Sequence, residues 1–442
     1  MRAREPDAPP RSLLARIVDI CVLAGVAIAL GFQFGFSLKA FMGDVYAVNA
    51  QAAENEYDTE TARWSLARSL GWNPADYRIR YRYGVLQQRS GNLEEAARAF
   101  TTSLQLAPHN VLAMLTLAEL NSRVGRFAEA DRLIEEAELL LPGYWRMHRT
   151  TGIRLGHEGE HARAVREFMT ALESGGPRAR PVLAHLATAH FALEELDTAL
   201  TFARQAVAYD DSQPANHLRE GKILIAKDRA SDSRASFFRA LNVLAQSGAT
   251  PSQHKGLLAE IYAYLSRAYA MDGELGDAVE SLALAIDTDP RNVHVKRAGD
   301  TLADALENFS REDVGAENGY GAILLGAGRA FLFLEKSVEA ELTLRDAYAE
   351  PLSNMDRIAC ELALADVLMQ RGQAAQALNF IERARDRSAA PSVQIEHALA
   401  DALARDGRIA EARLQYLDVL QRFSLTTAMR DEIERRIREL NP

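Results

Sequence analysis

Two hydrophobic patterns divide the chain. Residues 17–36, IVDICVLAGVAIALGFQFGF, are apolar almost throughout, with Asp19 and Gln33 near the ends. From residue 43 onward, apolar residues recur at steps of three and four in short runs punctuated by Gly or Pro. That alternation predicts consecutive amphipathic helices joined by tight turns.

The helical pattern is periodic. Residues 77–110 read YRIRYRYGVLQQRSGNLEEAARAFTTSLQLAPHN, residues 111–144 VLAMLTLAELNSRVGRFAEADRLIEEAELLLPGY, and residues 145–178 WRMHRTTGIRLGHEGEHARAVREFMTALESGGPR. Gly91, Gly125 and Gly159 stand 34 residues apart, as do Ala96, Ala130 and Ala164, and Pro74, Pro108 and Pro142. Phe100, Ile134 and Phe168 keep the same step, each followed by Ser103, Ala137 or Ala171. Gly suits the turn backbone, Ala lets two helices approach, and Pro ends the second helix. One helix pair cannot bury its apolar face alone, so pairs of this kind stack.

The pattern resembles the tetratricopeptide repeat (TPR) family. Its small eighth residue appears as Gly84, Ala118, Gly152, Ala187, Gly221, Ser266, Gly328, Ala365 and Ala400. The units are framed as 77–110, 111–144, 145–178, 180–213, 214–247, 259–292, 321–354, 358–391 and 393–426, with a weaker one over 43–76. Glu194 and Ser233 depart from the expected turn Gly and second-helix Ala. The resemblance implies an all-α fold, a right-handed α-solenoid of stacked helix pairs. The expected organisation is a tail (1–16), a transmembrane helix (17–38), a degenerate repeat (39–76), an array (77–292), an irregular helix and loop (293–320), a second array (321–426) and a polar capping helix (427–442).

Charge orients the apolar segment. Arg2, Arg4, Arg11 and Arg16 precede it, whereas Lys39 alone follows before Arg63. The positive-inside rule keeps the first residues in the cytoplasm and sends the rest outward. No small-residue cleavage pattern closes the segment at the distance a cleaved signal needs, so an uncleaved inner-membrane anchor is expected, with the bulk of the chain periplasmic. Only 6 of 51 basic residues are Lys and Ala is abundant, as in a GC-rich bacterial source. Net charge is −10, which gives no global basic footprint for nucleic acid. Cys21 and Cys360 are the two cysteines, too few for a disulfide framework or a metal knuckle.

Two candidate chemistries follow. His157-Glu158-Gly159-Glu160-His161 spells H-E-x-x-H, whose zinc chemistry needs both His on one face of a continuous helix. In the repeat frame Gly159 is the turn, so His157 ends one helix and His161 begins the next. Gly321 and Gly326 have the spacing of a phosphate loop, yet Ala327 and Gly328 stand where Lys and Ser or Thr are required. No Ser/His/Asp grouping is recognisable. No catalytic residue, cofactor or metal site is therefore expected.

The TPR resemblance implies a ligand groove along the first helices. Arg78, Tyr81, Gln88 and Arg89, then Leu112, Leu115, Glu119 and Arg123, then Arg146, Arg149, Ile153 and His157 map to it. Of these, Arg78, Tyr81, Arg89, Arg123, Arg146, Arg149 and His157 form the candidate partner-binding set. Later units contribute an apolar lining: Phe191, Leu218, Ile225, Leu325, Leu332, Phe333, Leu362 and Met369. The expectation is a membrane-anchored scaffold that binds proteins, peptide tails or an anionic polymer, similar to TPR components of bacterial envelope and polysaccharide assembly or export. The alternatives are a zinc-dependent hydrolase using HEGEH and a self-assembling structural scaffold.

Overall fold

A computed structural model describes residues 37–54, 58–246, 254–307, 309–310 and 319–440. Among them every regular element is helical, and no helix is long and apolar enough to cross a membrane. The anchor expected over 17–38 lies outside the described residues, save its last two. By contact the chain forms two compact units, divided after Glu195.

The first unit comprises α1 (37–54), α2 (Thr59–Trp72), α3 (Tyr77–Arg89), α4 (Leu93–Leu106), α5 (Val111–Arg123), α6 (Phe127–Leu140), α7 (Trp145–Glu158), α8 (His161–Gly175), a 3₁₀ stretch (Gly176–Val182) and α9 (Leu183–Ala192). Within it α3 packs on α4, α5 on α6 and α7 on α8, and α5 also packs on α7. The Ser103 hydroxyl donates to the Tyr77 carbonyl at 2.8 Å, and one period earlier Ser69 donates to Gly43 at 2.8 Å. The helix pair α1–α2 thus closes with the same cross-helix bond as α3–α4. Asp76 and Asn110 cap α3 and α5 by accepting backbone N–H groups that a helix start leaves unpaired.

The second unit comprises α10 (Leu196–Tyr209), α11 (Pro214–Ala226), α12 (Ala230–Gln246), α13 (Lys255–Met271), α14 (Leu275–Thr288), α15 (Val293–Glu307), α16 (Gly319–Phe333), α17 (Ser337–Ala349), α18 (Asn354–Gln370), α19 (Ala374–Arg387), α20 (Val393–Arg405), α21 (Ile409–Arg422) and α22 (Thr427–Glu439). α15 packs on α13 and α14, burying Val295, Ala298 and Leu302. At the far end α22 turns Ile433 onto Tyr416 and Val419, while its exposed charges pair along the helix, as Arg435 does with Glu439 at 2.7 Å.

One turn recurs between the helices of successive pairs. The N–H of Asn92 donates to the Gln87 carbonyl at 2.9 Å, and Arg126 to Asn121 (2.8 Å), Glu160 to Leu155 (2.9 Å), Glu195 to His190 (3.0 Å), Arg229 to Leu224 (2.9 Å) and Gln373 to Leu368 (2.8 Å) repeat it. This six-to-one closure needs a left-handed residue. Gly91, Gly125 and Gly159 supply it at φ 80°, 79° and 92°, and Glu194 supplies it at φ 62° where the sequence lacks the glycine.

Candidate functional site

The turn geometry decides the H-E-x-x-H stretch. α7 ends at Glu158, Gly159 is left-handed, Glu160 precedes the next helix, and His161 opens α8. The two His therefore belong to different helices, and the single helical face a zinc protease requires is missing. Among the described residues no group of three or more His, Cys, Asp or Glu is placed to hold a metal. The glycine-rich stretch at 319–330 is likewise helical, within α16. Its glycines serve packing: added Cβ atoms would stand 2.6 Å from Val279 at Gly326 and 2.5 Å from Leu344 at Gly328.

His157 and His161 do meet, in a different role. Both line a pocket of about 300 Å³ with Arg123, Arg149, Glu119 and His185, over an apolar floor of Ile153, Gly152 and Phe168. The His185 ring stacks on Phe168, centroids 5.3 Å apart. Burial in this pocket, and secondarily the Arg123 cation, hold His157 below the ordinary imidazole value. The sequence placed His161 only at the start of the second helix and did not single out His185. No local signal marks His185, because the register of α9 against α8 brings it there.

The candidate arginines separate by partner. Arg78 is held by Asp76, the residue that caps its own helix, at 3.2 Å. Arg149 pairs with Glu119 at 3.0 Å, and Glu119 also accepts from the Thr150 hydroxyl at 2.9 Å. Arg146 lies over the Trp145 ring at 5.4 Å. Tyr81 bonds Thr116 at 3.1 Å and packs on Phe100. Arg89 and Arg123 remain: both are exposed, with no ion pair among the described residues. Glu119 is therefore not the one acid beside the groove arginines among the described residues. Asp76 adds a second carboxylate that capping geometry brings next to Arg78, so the positive charge without a carboxylate partner narrows to the half-buried Arg146, over its Trp145 ring, and to the exposed Arg89 and Arg123. These two and His157 stand at equivalent positions at the ends of α3, α5 and α7.

The apolar lining expected in later units is also corrected in part. Leu218 and Ile225 are buried in a cluster with Ile261 and Leu265 of α13, and Leu325 and Met369 are buried as well. A large apolar side chain beside the next first helix is drawn beneath it, since burial there removes it from water. Phe191 is half-buried. Leu332, Phe333 and Leu362 do line an open pocket of about 490 Å³ in the second unit. Asp366 also lines it, its carboxyl raised above the usual range by burial and by the neighbouring Asp401.

Comparison with known proteins matches residues 87–148 to the family model of the tetratricopeptide repeat. Human tetratricopeptide repeat protein 7A is 29% identical over 126 residues, 28% of this chain and 15% of that protein. Human tetratricopeptide repeat protein 7B is 27% identical over 100 residues, 23% of this chain and 12% of that protein. The chain thus spans well under a fifth of either relative's length. Among solved structures, the type IV pilus biogenesis factor PilW has a TM-score of 0.41 at 14% identity, covering 50% of this chain and 97% of that one. YrrB, a TPR protein with an unusual peptide-binding site, has a TM-score of 0.33 at 20% identity, covering 46% and 99%. The family match runs from the end of α3 through α4, α5 and α6 into the first turn of α7, over helix pairs and six-to-one turns described above.

Proposed function

We propose that the chain is a membrane-anchored scaffold that captures an acidic peptide tail of a partner protein along the first helices of its amino-terminal repeats. The observation that carries this function is the alignment of Arg89, Arg123 and His157 on α3, α5 and α7, with Arg89 and Arg123 free of ion partners. Stacked helices lie roughly 8–10 Å apart. An extended chain rises about 3.3 Å per residue, so acids at every third residue meet successive first helices. The pocket beneath His157 and Arg123 has the apolar floor to hold one side chain of such a tail. Arg149, neutralised by Glu119, shapes the wall rather than attracting charge.

Residues 17–38 anchor the scaffold in the inner membrane and the repeats face the periplasm, where the partner belongs to envelope or polysaccharide assembly. The apolar run and the arginines before it support this placement.

The test is site-specific photocrosslinking from Ile153 in the full chain in cells. A discrete adduct is expected, lost in the Arg89→Glu/Arg123→Glu double variant while far-UV circular dichroism stays unchanged. An adduct that survives the double variant would overturn the groove. Topology is read separately, by alkaline phosphatase fused after Pro442; an inactive fusion that is nonetheless present at normal levels would overturn the periplasmic placement.

A further inference from the structure

α1 opens the stack, and among the described residues no helix precedes it. The end units of a repeat array need a polar outer face. α22 has one, in charge pairs such as Arg435 with Glu439. α1 does not. Its Leu38, Phe41, Val45 and Val48 are 45%, 62%, 36% and 67% exposed, and Ala52 is exposed as well.

These five residues follow one another at steps of three, four, three and four. They therefore form a single line along the helix, the a and d positions of a heptad repeat. Gly43 and Ala50 stand at f, on the opposite side, and that side holds α1 to the array. The Gly43 carbonyl accepts from Ser69 at 2.8 Å, and Ala50 packs with Ala62 and Leu66. Arg82 of α3 reaches Gln51 and Glu54, at 3.0 Å each. The a and d line takes part in none of these contacts.

A bare a and d line fits a helix with the same spacing, and every copy of the chain carries one. In a two-fold pair each of Leu38, Phe41, Val45 and Val48 meets its own equivalent. The sequence before α1 keeps the register, since Phe34, Gly31, Ala27 and Ala24 continue the steps of four and three. Small residues are what membrane helices place at their mutual contacts. A lipid surface is the poorer occupant. Helices that lie on membranes are rich in Lys and Arg along the polar face, whereas α1 has Lys39 against Asp44 and Glu54.

We infer that α1 pairs in parallel with α1 of a second copy of this chain, through Leu38, Phe41, Val45 and Val48. The seam rests on α1 itself. Its parallel sense rests on the membrane anchor proposed above, which inserts every copy in one direction. Two heptads fall short of the roughly three to four that sustain a coiled coil. Confinement to one membrane offsets this by raising the local concentration of the second helix.

The test is cysteine crosslinking of the full chain in native membranes, in a Cys21→Ser background where Cys360 stays buried. A disulfide forms only where two Cα atoms come within about 7 Å. Under mild oxidation Phe41→Cys and Val48→Cys should each give a disulfide-linked dimer several-fold faster than Lys39→Cys, which lies off the seam. Adding Val45→Glu to Val48→Cys should return that rate to the Lys39→Cys level. Equal rates at the three positions, or no effect of Val45→Glu, would overturn the inference. An adduct to a different protein would overturn it too. So would seam cysteines that neither crosslink nor react with a membrane-impermeant maleimide, because lipid would then cover the face. Loss of the seam alongside an active phosphatase fusion and an intact Ile153 adduct would leave the anchor and the groove standing.

Discussion

Gly84 faces the ring of Phe100 so closely that a Cβ on the glycine would stand 2.7 Å from Cε1. The same relationship recurs between Gly152 and Phe168 (2.5 Å) and between Gly221 and Phe237 (2.3 Å). At Ala118, Ala187 and Ala365 the facing position holds the smaller Ile134, Ala203 or Ile381, and only Ala400 departs, facing Tyr416. The two positions share one volume, fixed by how closely the helices of a pair approach. Gly152→Ala should therefore destabilise the fold by about 1–3 kcal/mol through overpacking, although Ala favours an isolated helix by about 1 kcal/mol. Adding Phe168→Leu should recover part of the loss. Urea denaturation of the single and double variants checks this, and a Gly152→Ala protein more stable than the parent would contradict it.

The turns that lack glycine store strain. Glu194, Asp228 and Glu335 hold φ of 62°, 57° and 60°, a left-handed conformation that costs a side-chain-bearing residue on the order of 1 kcal/mol. Each changed singly to Gly should raise the melting temperature. Gly159→Glu, the reverse change in an equivalent turn, should lower it. Calorimetry of the four variants is the measurement.

His157 gives a pH signature. Its folded value lies below the ordinary one because of burial and then Arg123. The folded ring therefore binds protons less readily than the unfolded ring. Stability from this group is complete above the ordinary value of about 6.5 and falls as pH drops from there towards the folded value. Arg123→Ala removes the second cause and should move the titration upward, followed through the imidazole proton resonances. An unmoved titration would mean that the two side chains are farther apart in solution.

Cys360 should be inert. Burial pushes its thiol up to about 12, and it lies 3.3 Å from the Leu344 carbonyl oxygen, to which it donates. Against an ordinary thiol near 8.5, the thiolate is scarcer by roughly three orders of magnitude at neutral pH. In a Cys21→Ser background, iodoacetamide should label the native protein hardly at all and the urea-unfolded protein fully. Rapid native labelling would show that α18 opens locally.

The repeats themselves were legible because their period couples residue type to geometry. A left-handed turn favours Gly, a close helix approach needs a small residue, and both recur every 34 residues at Gly91, Gly125 and Gly159. The same register marks HEGEH as a turn, and φ 92° at Gly159 agrees. The groove was legible only in outline. Helical position assigned Arg78 and Arg149 to it, but their carboxylate partners depend on capping geometry and on helix packing, which the period does not encode.

By itself, then, the sequence determined the helix pairs and their turns, since these follow from local conformation and a repeated pattern of sizes. Tertiary structure alone decided which charges stay unpaired and how His157, His161 and His185 come to share one pocket. Each of those outcomes depends on distances between helices far apart in the chain, set by the packing of all their neighbours at once.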